Sequence, residues 1–321
     1  MLDQYGRTIN YMRISITDRC DLRCRYCMPE EGIEKVSMSR ILTYEEICRI
    51  CEAAVSLGVT RFKITGGEPL VRKGCTDLVR EIKKISGVEQ VTLTSNGQQL
   101  LSFIDDLADA GLDGLNISLD SLREDRYRYI TGGGELEKTL TAIEGSICRG
   151  IRTKINCLLQ KQFNEDEITD FAAFAFEKGL DVRFIEIMPV GFGNPDTGLA
   201  NDDVLKRLLE YYPELEKDET VHGNGPAVYY RLPNQKGAIG LISAMNHSFC
   251  NSCNRIRLTS QGRIKPCLCY EDGIDLRAAL DSNSGETLRI ALEKAIRLKP
   301  KGHTFHDRTT VEPRSMSQIG G

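Results

Sequence analysis

Six times between Arg13 and Ile187 a short β-rich run ends in a polar turn, and helical patterns fill the intervals between runs. The runs are Arg13-Ile14-Ser15-Ile16-Thr17, Arg61-Phe62-Lys63-Ile64-Thr65, Val91-Thr92-Leu93-Thr94, Leu115-Asn116-Ile117-Ser118-Leu119, Lys154-Ile155-Asn156-Cys157-Leu158-Leu159 and Val182-Arg183-Phe184-Ile185-Glu186-Ile187. Between them, sets such as Ile47, Ile50, Cys51, Ala54 and Leu78, Val79, Ile82, Ile85 recur at helical spacing. Thr43-Tyr44-Glu45-Glu46 reads as a capping box that opens the first helix, and Gly58 as its stop. Such alternation predicts right-handed crossovers and a parallel sheet. Without doubly wound signals, the expected fold is α/β: a partial (β/α)6 TIM-like barrel over residues 5–190, two units short of closure. A loop at 189–196 marks the boundary. Residues 191–321 are expected to form a C-terminal α+β extension, with a helix at 203–209 and strands at 228–231 and 239–242.

In a barrel of this kind the site forms where the strands end. Polar groups gather there: Cys20 to Cys27, Gly66 to Glu68, Thr94 to Asn96, Ser118 with Asp120, and Glu186 with Met188. Cys20, Cys24 and Cys27, at spacing C-x3-C-x2-C, put three soft ligands on one loop. A four-iron cubane held by only three thiolates keeps one iron without a protein ligand. The plainer alternative is zinc or buried thiols. A second group comprises Cys250, Cys253 and Cys267, because a hairpin centred near Gln261 returns Cys267 beside Cys253. Cys269 and His247 are further candidate ligands. Arg255 and Arg257, two apart, share one face of that hairpin's first strand. Cys48 and Cys51 also form a C-x2-C, but on a helix they read as core or surface thiols.

With 42 basic and 46 acidic residues the net charge is −4, so no global positive field suggests a nucleic-acid partner. Twelve cysteines point to metal binding in a reducing compartment rather than to disulfides. No apolar run is long enough to span a membrane, and residues 1–7 lack a signal peptide's core, so a cytoplasmic location is expected. The tail after Lys299 is polar and reads as a frayed terminus.

The first cysteine trio followed by Gly66-Gly67-Glu68-Pro69 resembles the radical S-adenosylmethionine (SAM) superfamily. Thr17-Asp18-Arg19-Cys20, Asn116-Ile117-Ser118-Leu119-Asp120, Arg183-Phe184-Ile185-Glu186, Phe249-Cys250-x-x-Cys253-Asn254-Arg255-x-Arg257 and the terminal Gly320-Gly321 extend the likeness to the GTP 3′,8-cyclase family of molybdenum cofactor biosynthesis. That resemblance implies that Cys20, Cys24 and Cys27 hold a 4Fe–4S cluster whose open iron chelates SAM. Tyr26, Gly66, Gly67, Glu68, Ser118 and Met188 would surround SAM. Cys250, Cys253 and Cys267 would hold a second 4Fe–4S cluster facing the guanine. Arg13, Lys63, Thr94, Lys154, Arg183, Arg255 and Arg257 would bind GTP, with Arg13, Arg255, Arg257, Gly320 and Gly321 catalytic. A low-potential electron donor and a cyclic pyranopterin monophosphate synthase would be partners, and the resemblance leaves room for a homodimer.

The residues agree physically. No G-x4-G-K-[ST] loop is present, so a triphosphate would need side-chain cations. Each charge-assisted hydrogen bond contributes roughly 1.5–3 kcal/mol, against about 8 for micromolar binding. Arg13 and Lys63 end up in the barrel mouth only if Ile14, Ile16, Phe62 and Ile64 face the helices. Lys63 stands where the cyclase pattern carries arginine, which removes the bidentate fork; Arg61 is a candidate substitute. For the diglycine the resemblance implies a flexible tail entering the active site. Two rivals are a radical SAM peptide maturase with an auxiliary cluster and a non-catalytic zinc-binding module.

Overall fold

The pleat that alternates polar and apolar residues along each run also sorts them between a lumen and a helical shell. The structure, a computed structural model, describes residues 1–34, 36–246, 249–282, 284–307 and 312–320. Strands β1 (Tyr11–Ser15), β2 (Arg61–Thr65), β3 (Gln90–Ser95), β4 (Gly114–Ser118), β5 (Thr153–Leu158) and β6 (Asp181–Ile185) pair in sequence order, all parallel. Helices α1 (Tyr44–Ser56), α2 (Cys75–Lys84), α3 (Ile104–Asp109), α4 (Glu124–Thr131), α5 (Leu136–Cys148) and α6 (Ile168–Lys178) lie between them in the chain. These are the expected β/α units. Ile14, Ile16, Phe62 and Ile64 are fully buried in the main core. The first strand begins two residues earlier than expected and ends at Ser15. Beyond it, the Thr17 carbonyl accepts the Gly67 amide at 2.8 Å instead of continuing a ladder.

The C-terminal extension supplies α7 (Asn201–Tyr211), β7 (Glu216–Asp218), β8 (Val228–Arg231), β9 (Ala238–Ile242), β10 (Arg255–Leu258), β11 (Arg263–Lys265), β12 (Ile274–Asp275), α8 (Arg277–Asp281), α9 (Gly285–Arg297) and α10 (Met316–Ile319). It lengthens the sheet at both edges. The order is β12-β11-β10-β1-β2-β3-β4-β5-β6-β9-β8-β7, with β10 parallel to β1 and β9 parallel to β6. The wall therefore has eight parallel strands among the described residues, two of them from beyond residue 190. Sequence order hides this, because a strand edge is a row of unpaired donors and acceptors that any later segment can cover. The sheet remains open, its outermost members antiparallel.

Local signals hold the frame. Thr43 and Glu46 cap α1 reciprocally, at 3.2 and 2.7 Å, and Gly58 takes φ +85° just after the helix. Cys51 is buried in the core and Cys48 packs against it. No helix among the described residues is long and apolar enough to cross a membrane.

Glu186, at the end of β6, is buried and accepts the amides of Asn201 (3.0 Å), Met245 (2.7 Å) and Asn246 (3.2 Å) and the Asn246 carboxamide (2.9 Å). One carboxylate thus ties the barrel to the start of α7 and to the segment after β9. Glu186→Ala leaves these donors buried without a partner and should cost about 3 kcal/mol in urea denaturation, with Glu186→Gln losing less.

Candidate active site

The first cysteine loop leaves β1 and is pinned by backbone bonds from Arg23 to Thr131 (2.9 Å) and Arg25 to Ile130 (3.0 Å), while the Cys27 amide closes on Cys24 (2.8 Å). The Leu22 amide points at Cys20 Sγ (3.4 Å), as does the Asn96 carboxamide at 3.8 Å. The second group sits on a short turn, with the Cys253 amide on the Cys250 carbonyl at 3.2 Å. The β10–β11 hairpin pairs Arg257 with Lys265 and so returns Cys267 towards Cys253. Lys299 secures both arms, donating to the carbonyls of Arg255 and Pro266 at 2.8 Å each. All six thiols line one cavity of about 310 Å³. Tyr26, Gly66, Gly67, Glu68, Ser118 and Met188 line it too. No three Cys, His, Asp or Glu side chains among the described residues converge on a single metal ion. The shared cavity gives the triads room for a larger, polynuclear group, and free thiols with N–H donors near Cys20 suit such a group. Cys269 is buried in a separate apolar cluster with Val190, Phe305 and Ile319 and does not line the cavity. His247 lies outside the described residues.

The two trios differ in charge environment. Burial pushes the Cys20 thiol up to about 12, helped by Glu68 and Asp21, and Cys27 up to about 11. Burial also raises Cys253, but the Arg255 and Lys299 cations outweigh it and bring that thiol down to about 6. Cys253 is thus a thiolate at neutral pH without any metal.

The cavity wall is braced from behind. Glu68 accepts the Leu70 and Asn96 amides (3.2 and 2.7 Å) and the Ser95 hydroxyl (3.0 Å), and burial outweighs these bonds to push its carboxyl up to about 8. Gly66 and Gly67 pass so close to the Thr17 and Arg19 carbonyls that neither tolerates a Cβ. Tyr26 donates to Asp120 at 2.7 Å, and Asp120 accepts the Leu158 amide at 2.8 Å. Asp120, pushed up to about 6 by burial, belongs to the support of the site rather than to its lining.

Below this chamber lies a second cavity of about 420 Å³ inside the barrel. Inward residues form levels along the strands. Lys63, Thr92, Asn116, Lys154 and Arg183 line only the lower cavity; Arg13, Thr94, Asn156, Ile185 and Arg255 line both; Thr65, Ser118, Leu158 and Arg257 line only the upper one. The two cavities therefore adjoin at a shared level of lining residues, the waist. Burial, then the neighbouring Arg183, Arg13, Lys154 and Arg255 cations, drives Lys63 well below its usual range. Burial likewise lowers Arg13 and Arg257. Lys154 is ion-paired with Asp181 at 2.6 Å and bonded to Tyr229 Oη and the His222 carbonyl. Arg61 is paired with Glu89 and lines neither cavity, so it does not stand in for the arginine that Lys63 replaces.

Residues 217–229 line the lower cavity, a strap that no local pattern placed there. Asn156 was legible, since it shares strand parity with Lys154. The tail is not frayed over residues 312–320: Ile319 is fully buried, Arg257 donates to the Gly320 carbonyl, and Gly320 lies against Ser15 and Thr65. Glu312 anchors it through Lys265 and Arg314. Gly321 lies outside the described residues.

Residues 14–175 match the family model of the Radical SAM superfamily, and residues 180–305 match that of Molybdenum Cofactor Synthesis C. The GTP 3′,8-cyclase of Peptoclostridium acidaminophilum is 45% identical, covering 100% of this chain and 98% of its own. That of Clostridium perfringens strain SM101 is 42% identical, with 100% of both chains covered. Among solved structures, Streptococcus suis SuiB bound to S-adenosylmethionine has a TM-score of 0.66 at 15% identity, covering 97% of this chain and 77% of that one. That likeness carries the fold alone. Full-length identity above 40%, with both family models matched along the chain, shows that it belongs to the GTP 3′,8-cyclase family of the radical SAM superfamily.

Proposed function

We propose that this chain converts GTP to 3′,8-cyclo-7,8-dihydroguanosine triphosphate, the first step of molybdenum cofactor biosynthesis. One observation carries the reading: both cysteine triads line one cavity, and a cation-lined lumen adjoins it through shared lining residues. Cys20, Cys24 and Cys27 hold a 4Fe–4S cluster, with Tyr26, Gly66, Gly67, Ser118 and Met188 around the bound SAM. When bound, that pair supplies one-electron reductive cleavage of the sulfonium and hydrogen abstraction from ribose C3′. Cys250, Cys253 and Cys267 hold a second 4Fe–4S cluster beside the guanine. Lys63, Lys154 and Arg183 take the triphosphate, while Arg13 and Arg255 stand at the waist beside the middle of the substrate. Buried like charges with depressed pKa values favour a polyanion strongly, because each added negative charge restores the protonated state of its neighbours. Arg257 holds the Gly320 carbonyl and so aims the tail at the upper chamber. A low-potential carrier delivers the electron, and a cyclic pyranopterin monophosphate synthase takes the product.

A peptide maturase needs a peptide groove rather than a cationic lumen, and a zinc module needs neither waist nor lumen. Anaerobically purified protein should be brown, contain iron and sulfide, and convert GTP; colourless zinc protein without turnover would end this reading. Arg255→Ala should retain SAM cleavage while lowering cyclised product at least a hundredfold by product chromatography. Trimming Gly320-Gly321 should leave the iron content unchanged and stop product formation.

Burial, aided by Arg183 and Arg152 and opposed by Asp181, pushes Lys154 down to about 8. The protonated form binds phosphate, so affinity is complete below that pH and falls as pH rises through it. The Kd for GTP should rise by up to about tenfold per unit above pH 8, and Lys154→Arg should flatten the profile in calorimetric titrations.

A further inference from the structure

On β5, Lys154 lines the lower cavity, Leu158 the upper, and Asn156 between them lines both. Asn156 Oδ1 is buried and accepts no hydrogen bond. Comparable buried amide oxygens are occupied: Asn116 Oδ1 accepts from Arg183 at 2.6 Å, and Asn164 Oδ1 accepts the Gln160 amide at 2.7 Å. An idle buried acceptor is uncommon enough to need a reason. Thr94 Oγ1, also at the waist, is buried without a partner as well. These two polar atoms face the level where the chambers join.

What they could receive follows from position. Two residues of a parallel strand span about 6.6 Å, so Asn156 stands roughly that far above Lys154 and its neighbouring cations. With phosphates on the lower cations, the sugar ring comes level with the waist. A carboxamide oxygen needs a donor; ionised phosphate has none, and a sugar hydroxyl is the donor available at that height. We propose that Asn156 is a specificity-determining residue that accepts a hydrogen bond from a ribose hydroxyl of the nucleotide, opposite Thr94. This rests on the proposed cyclase reading and adds the group that selects ribonucleotide and holds its sugar for attack. A site built to bond a hydroxyl rejects the analogue lacking it, because the acceptor stays buried and unmet.

The test uses cluster-loaded protein with SAM present, and measures equilibrium binding of GTP, 2′-deoxy-GTP and 3′-deoxy-GTP. The parent should bind one of the deoxy analogues about tenfold more weakly than GTP. Asn156→Ala should weaken GTP binding by about the same factor and erase that gap, with SAM affinity changed less than threefold. Asn156→Asp, which keeps an acceptor in place but adds charge near the phosphates, should lose overall affinity yet retain the gap. The proposal is overturned if Asn156→Ala keeps the parent's discrimination, or if its loss falls on SAM, whose own ribose would then be the hydroxyl donor. A parent protein that fails to bind GTP at all sinks the cyclase reading instead.

Discussion

Several basic side chains buried in one lumen repel each other, and the rest of the structure accommodates that repulsion. Lys63 is driven well below its normal range by burial and by Arg183, Arg13, Lys154 and Arg255 together. Such a cluster weakens the fold that contains it unless other contacts outweigh it. Here the outer faces of the same strands do so: Ile14, Phe62 and Ile64 are fully buried against the helical shell. The lumen is thereby kept cationic, while the Lys154–Asp181 pair relieves part of the field.

The same cations reach upward. Arg255 lies on β10, which is parallel to β1, so Tyr11 pairs with Arg255 and Arg13 with Arg257. This register places the arginine pair of the extension beside Arg13 of the barrel, and one guanidinium then serves two purposes. It borders the waist, and it pulls the Cys253 thiol down to about 6 where burial alone would raise it. In the triad that follows β1, burial with the Glu68 and Asp21 charges pushes Cys20 up to about 12.

Segments that carry no barrel pattern complete the walls. The strap at 217–229 lines the lower cavity, and the tail lays Ile319 into the small cluster containing Cys269 and Phe305. Glu312, a buried carboxylate with several donors, fixes the tail, while Lys154 and Asp181 hold the strap at His222.

By itself the sequence determined the six β/α units, the inward parity of Arg13, Lys63, Thr94, Lys154 and Arg183, the capping of α1, and the hairpin that returns Cys267. Each rests on a period of two or on short-range turn chemistry, which are local properties. Only the tertiary structure decided that β9 and β10 extend the wall at opposite edges, that both cysteine triads open onto one cavity, that Arg61 leaves the site for Glu89, and that the described tail packs inward. Those outcomes depend on which distant segment meets an unpaired strand edge or a buried charge, and no local pattern records that choice.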